Sequence, residues 1–189
     1  ICEFLGANWY ALAGTLILAA GVVVHLVYAT VLTLHNRSSR GSQRYAMTAE
    51  PEGVTWASRN MYVLGIIIVL GLLLHLYNFW YNMQFAEIIG NHELGPFPPA
   101  DGAAYIAALF SSPVYCIIYL VWFAAIWFHL THGFWSAFHT IGWDNQTWLP
   151  RLKRIANVVA TIVFLCFALV VIVFYLRSLG VCGGSCAGF

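Results

Sequence analysis

Three histidines within long apolar stretches are the residues best able to carry chemistry in this sequence. His25, His75 and His129 each lie among aliphatic and aromatic residues. A polar, ionisable side chain inside a membrane is costly, so it marks a functional position by default. Neutral imidazole is a common ligand of metals and of haem iron. The alternative role for each histidine is a hydrogen bond to a neighbouring helix.

A glycine lies one helical turn from each of these histidines. It comes four residues before the histidine in two stretches and four residues after it in the third; the glycines are Gly21, Gly71 and Gly133. Residues four apart share a helix face, so the missing side chain leaves room beside the imidazole for a flat, wide ligand. Haem is such a ligand, so the spacing favours haem, whereas helix packing is the alternative role for the glycines.

The depth of the histidines pairs two of them. His25 lies sixteen residues after Trp9 and His129 lies sixteen residues after Pro113. At about 1.5 Å per residue, each is about 24 Å from the same side of the membrane. We predict that they are the two axial ligands of one haem. His75 lies at the opposite depth, where the sequence offers no partner histidine.

Two further histidines follow His129 closely, at His132 and His139. His129 and His132, three residues apart, could start a zinc site, but zinc needs further Cys, His or carboxylate ligands and no fitting set is evident. We predict polar contacts at the membrane surface for His132 and His139.

The composition predicts the elements that hold these residues. The chain of 189 residues is 61% hydrophobic and 8% charged, whereas soluble domains carry about 25% charged residues. This deficit excludes an ordinary water-soluble fold, and a net charge of +1 gives no sign of nucleic-acid binding. We predict one all-α transmembrane helix bundle over residues 1–189, with spans at about 9–34, 60–83, 113–139 and 158–175, and a short amphipathic surface helix from Asp101 to Phe110.

The charges between the predicted spans set the orientation. The loops after the first and third spans are basic, whereas the loop between the second and third holds Glu87, Glu93 and Asp101 and no Lys or Arg. The positive-inside rule places the basic loops in the cytoplasm. None of the predicted spans contains Asp, Glu, Lys or Arg, which disfavours an ion-coupled transporter. A haem-free transporter or scaffold stays open on composition alone.

The pattern His-Leu-x-His-Gly-Phe-x-Ser-Ala-Phe-x-Thr-x-Gly-Trp at 129–143 resembles the fourth transmembrane helix of the cytochrome b subunit of succinate:quinone oxidoreductases. The resemblance is to the single-anchor, dihaem type, which includes menaquinol:fumarate reductases of Bacteroidetes-like bacteria. It extends over nearly the whole chain through Asn36-Arg37, Arg44-Tyr45-Ala46, Ala57-Ser58-Arg59-Asn60-Met61 and His75-Leu76-Tyr77-Asn78-Phe79-Trp80.

This resemblance implies a five-helix subunit of the bacterial inner membrane with two b haems. The four spans match the second to fifth family helices, so we expect the first upstream of Ile1. His25 and His129 would hold the inner haem. His75 would hold the outer haem together with a histidine on that further helix. A flavoprotein subunit with covalent FAD and an iron–sulfur subunit would dock on the cytoplasmic side, and electrons would pass to or from menaquinone.

Polar residues near the membrane surfaces are candidates for binding the haem propionates, the partner subunits and the quinone. Cationic side chains near the cytoplasmic surface could pair with the haem propionates or with the docked iron–sulfur subunit. Lipid headgroups are the alternative partner for these side chains. The cationic residues are Arg37, Arg40, Arg44, Arg59, Lys153 and Arg154. The candidates for the quinone site are Glu3 and Trp9, where a carboxylate could accept protons; an ordinary interfacial glutamate is the alternative role of Glu3. Cys182 and Cys186 fall on the side that permits a disulfide. The cytochrome b subunit of a hydrogenase or formate dehydrogenase is the alternative redox protein.

Overall fold

The computed structural model describes residues 8–40, 54–143 and 145–181. Of these residues 82% are helical, and none of them forms a strand. Four helical segments are long and apolar enough to cross a membrane. The prediction of an all-α transmembrane bundle with four spans is thereby confirmed.

The described part of the chain consists of helices joined by short connections. The described elements are α1 (Trp9–Arg40), α2 (Trp56–Arg59), α3 (Met61–His75), a π-helical segment π1 (Leu76–Phe85), α4 (Ala86–Ile89), α5 (Gly102–Leu109), α6 (Pro113–Thr140) and α7 (Trp148–Ser178). The second span is continuous from Met61 to Ile89 and thus combines α3, π1 and α4.

The observed helices extend the predicted spans mainly at their ends. α6 ends one residue from the predicted bound and begins with Pro113 at its first turn, although Ser112 makes no side-chain capping bond. α7 starts ten residues earlier than predicted, at Trp148, and so includes Arg151, Lys153 and Arg154. The apolar run marks the part of a helix in hydrocarbon, whereas charged residues continue the same helix into the headgroup region.

The π-helical segment was not foreseen from the sequence. π1 follows His75 directly and covers ten residues, whereas most π-helical stretches are single turns that often lie at functional sites. The Nδ2 of Asn82 donates to the carbonyl oxygens of Tyr77 at 3.0 Å and Asn78 at 3.1 Å. These bonds pair backbone carbonyls in a segment where lipid offers no alternative partner.

The core lies between α6 and α7, against the second span and α5. Its most buried side chains are Val171, Tyr119 and Phe110, and Cys116 and Trp122 complete the cluster. α5 occupies the predicted stretch: Asp101 caps it by accepting from the Ala104 N–H at 3.1 Å. Tyr105 of α5 is buried and donates to the Phe97 carbonyl at 2.7 Å. α5 is therefore packed into the bundle as well as lying at its surface.

The two ends of the bundle differ in charge. The basic end holds the C-termini of α1 and α6 and the start of α7, with Arg37, Arg151, Lys153 and Arg154. The opposite, acidic end holds α4 and α5, with Glu87, Glu93 and Asp101. α1 contributes little to the core, because no residue in its most apolar window is buried among the described residues.

Candidate functional site

His25 of α1 and His129 of α6 face each other across the bundle. Their ring centres lie 6.2 Å apart and their ring planes make an angle of 79°. The two residues are 104 positions apart in the chain (129 − 25), so their proximity results from the packing of two separate spans. The structure thus brings together the two histidines that were predicted to pair because they lie at the same depth in their spans.

The separation of the two imidazoles can be compared with that required by one shared iron. A metal bound by imidazole nitrogens at about 2 Å on each side places the ring centres about 6 Å apart. The Nδ1 of His129 is buried and has no hydrogen-bond partner among the described residues. An unpaired buried polar atom calls for an explanation such as an absent ion or water. Both observations fit a ligand bound between His25 and His129.

Space for such a ligand differs between the two glycines near this pair. A Cβ placed on Gly21 would meet nothing within 4 Å. A Cβ on Gly133 would lie 3.4 Å from the Cε of Met61 and 4.0 Å from the Cδ2 of His129, which is ordinary contact. The open side of the pair is therefore next to α1, and Met61 borders the other side.

His75 lies in an aromatic environment nearer the acidic end. Its ring centre lies 5.0 Å from that of Phe79, 6.2 Å from that of Tyr119 and 5.5 Å from that of Trp122. Its Nδ1 is also buried without a partner among the described residues. These contacts bring no second imidazole to His75.

The space beside Gly71 is filled, contrary to the predicted room for a porphyrin. The indole of Trp122 packs directly on this glycine, and its Nε1 donates to the Ile68 carbonyl at 3.0 Å. A glycine in a membrane helix commonly allows a neighbouring element to approach closely, and Gly71 serves this purpose here.

The cluster at the basic end includes residues that the motif alone did not connect. The ring of His132 contacts that of Trp135 at 4.9 Å, and the Nζ of Lys153 lies 4.3 Å from the centre of the same indole. The Trp135 indole thus lies between His132 of its own helix and Lys153 of α7. The contact between Lys153 and Trp135 could not be predicted from the sequence pattern, because it joins α7 to α6.

The remaining predicted site residues are dispersed. Arg37 and Arg59 are exposed at the basic end, and Trp9 is 66% exposed and packs on the Tyr10 ring. Glu3, Arg44, Cys182 and Cys186 lie outside the described residues. The positions of Arg37, Arg59 and Trp9 do not test the proposed roles in binding haem propionates and quinone, and these roles stay predictions.

A multi-ligand metal site of the zinc type has no support in residues 8–40, 54–143 and 145–181. No three His, Cys, Asp or Glu side chains there are grouped so as to hold a metal ion. Haem requires only two axial protein ligands, so this finding bears on zinc alone.

Fold and site together define a class: a polytopic all-α membrane protein with a histidine pair held between two spans. Comparisons with protein-family models, curated proteins and solved structures found no match.

Proposed function

We propose that this chain is the haem b-carrying membrane anchor subunit of a succinate dehydrogenase or fumarate reductase complex. It relays electrons between an iron–sulfur subunit and menaquinone. The observation that supports this most is the pairing of His25 with His129, whose rings lie 6.2 Å apart on two different spans. The choice of this complex is based on the resemblance of residues 129–143 to the cytochrome b subunit of that family.

The imidazoles of His25 and His129 would hold the inner haem. Because both ligands would come from the protein, the site would favour electron transfer over the binding of oxygen. The haem, when bound, supplies a one-electron carrier. The chain supplies two helices, α1 and α6, whose packing would set the separation of the two rings.

His75 is the proposed ligand of the outer haem. Its ring neighbours among the described residues are Phe79, Tyr119 and Trp122, so the second ligand has to come from elsewhere. The family resemblance assigns that ligand to a histidine on a further helix. The Nδ1 of His75, which has no partner among the described residues, would be able to orient the imidazole through a hydrogen bond.

Partner docking is proposed for the basic end. Arg151, Lys153 and Arg154 are exposed there within the first two turns of α7. Guanidinium and ammonium groups pair well with carboxylates of a partner or of haem propionates. The flavoprotein and iron–sulfur subunits would bind on this side, which the positive-inside rule assigns to the cytoplasm of a bacterial inner membrane.

Purification of the complex from native membranes in mild detergent tests this function. We expect the chain to co-purify with a flavoprotein carrying covalent FAD and with an iron–sulfur protein, and succinate to reduce its b-type absorption. Reduction by hydrogen or formate, without an effect of succinate, would favour the alternative cytochrome b subunits. Absence of haem from the intact complex would contradict both redox functions.

A further inference from the structure

A cavity of about 490 Å³ lies between α6 and α7, apart from the His25–His129 pair. α6 contributes residues from Tyr119 to Leu130 and α7 contributes residues from Ala160 to Val171. His75 and Phe79 of the second span line one side of it. Pockets of this size hold small organic ligands in many proteins.

The cavity walls are almost entirely apolar. The indole groups of its lining are engaged elsewhere: Trp122 donates to the Ile68 carbonyl and Trp127 Nε1 donates to Thr161 Oγ1 at 2.9 Å. The Nδ1 of His75 is the polar atom of the wall that has no partner among the described residues. The hydroxyl of Tyr119 accepts from Asn78 at 3.1 Å. A ligand of this cavity therefore gains chiefly from dispersion contacts and needs little hydrogen-bonding capacity.

The length and position of the cavity match one leaflet of a bilayer. Tyr119 and Leu130 are eleven residues apart on α6, which corresponds to about 16 Å along the helix. Half of a hydrocarbon core about 30 Å thick is about 15 Å. Tyr119 lies only six residues from Pro113, or about 9 Å from the acidic end of α6. The cavity thus begins near the boundary between headgroups and hydrocarbon at that end.

The cavity also borders the lipid-facing surface. Val163, Phe167 and Val170 line it and are themselves 38%, 54% and 38% exposed. A chain can therefore enter from the surrounding lipid between these side chains. The outer haem proposed for His75 would lie outside this cavity, because no lysine or arginine lines the cavity to pair with propionates.

We propose that this cavity binds one acyl chain of a phospholipid from the leaflet at the acidic end of the bundle. The bound chain fills the space between α6 and α7. The headgroup remains at the membrane surface near α5. This inference does not depend on haem binding, and its test uses no redox activity.

Photolabelling of the full-length protein in phosphatidylcholine vesicles tests the proposal. The probe is a phosphatidylcholine with a diazirine on one acyl chain, and labelled residues are mapped by mass spectrometry. Ala160 and Val171 are the diagnostic positions, because both line the cavity and are only 4% and 1% exposed. We expect label at these buried residues in addition to label on outward-facing Leu165 and Leu169.

Filling the cavity should remove this label selectively. Val163→Phe or Val170→Phe, which each add a ring at the cavity edge, should reduce labelling of Ala160 and Val171 severalfold. Val159→Phe is the matched control, because Val159 is exposed on the same helix and does not line the cavity. Two filling variants are used so that a folding defect in one, detected by circular dichroism, leaves the other as the test.

Three results would overturn the proposal. Label confined to outward-facing residues would show that no chain enters. Buried label that persists in both folded filling variants would show that it does not come from this cavity. A parallel reaction with a diazirine on a prenyl chain distinguishes the source: buried labelling by the prenyl probe and not by the acyl probe would contradict the assignment to a phospholipid.

Discussion

The indole of Trp122 lies directly against Gly71, where it occupies the space that a side chain on α3 would need. This contact also sets the position of the Trp122 Nε1, which donates to the Ile68 carbonyl at 3.0 Å. The interface between the second and third spans thus depends on the absence of a side chain at one position. His75 and the cavity between α6 and α7 adjoin the same indole.

Gly71→Ala should destabilise the bundle, because the new methyl group displaces Trp122 and its hydrogen bond. Overpacking of this kind costs about 1–3 kcal/mol in the free energy of unfolding. Gly65→Ala is the control in the same helix, since a Cβ there meets nothing within 4 Å. It should leave stability unchanged or raise it by up to about 1 kcal/mol. Unfolding in mixed detergent micelles measures both; equal effects of the two variants would contradict the packing described.

Thr161→Val should weaken the junction between α6 and α7. The hydroxyl of Thr161 accepts from Trp127 Nε1 at 2.9 Å, and valine keeps the shape while removing the acceptor. Interhelical hydrogen bonds in membrane proteins average about 0.6 kcal/mol, with a maximum of about 1.7 kcal/mol. Thr140→Val serves as a control because the Thr140 hydroxyl donates within its own helix to the Ser136 carbonyl. A loss no larger than that of the control would refute the interhelical role.

Lys153 and Trp135 should show an energetic coupling at the basic end. The ammonium nitrogen lies 4.3 Å from the indole centre, and such contacts contribute about 0.5–1 kcal/mol at exposed sites. A double-mutant cycle with Lys153→Gln and Trp135→Leu measures the coupling free energy between the two side chains. The same cycle with Arg154→Gln in place of Lys153→Gln should give a coupling near zero. Equal couplings in the two cycles would contradict a specific contact.

Local rules were enough to predict much of the framework. The apolar runs predict four spans, and α6 from Pro113 to Thr140 was predicted to within one residue. The constant rise of a helix also placed His25 and His129 at one depth, and their rings lie 6.2 Å apart in the fold. These features depend on spacing along single helices, which a sequence contains directly.

Features that depend on packing between helices could not be obtained in this way. The role of Gly71 is decided by Trp122, 51 residues away (122 − 71). The π-helical turn after His75 is accompanied by the bonds of Asn82 and by the contact of Asn78 with Tyr119. Apolar periodicity does not distinguish such a turn from an α-helical one. The polar residues Asn78 and Asn82 within an apolar span were the available signal.

The haem content of the full-length protein tests the central claim most directly. A pyridine haemochrome assay should show that His25→Ala and His129→Ala each lose one b haem, and that the double variant loses the same one. His35→Ala and His132→Ala, on the same two helices, should retain the full content. Retention of every haem in the folded His25→Ala and His129→Ala variants would contradict the pairing on which the proposed function depends.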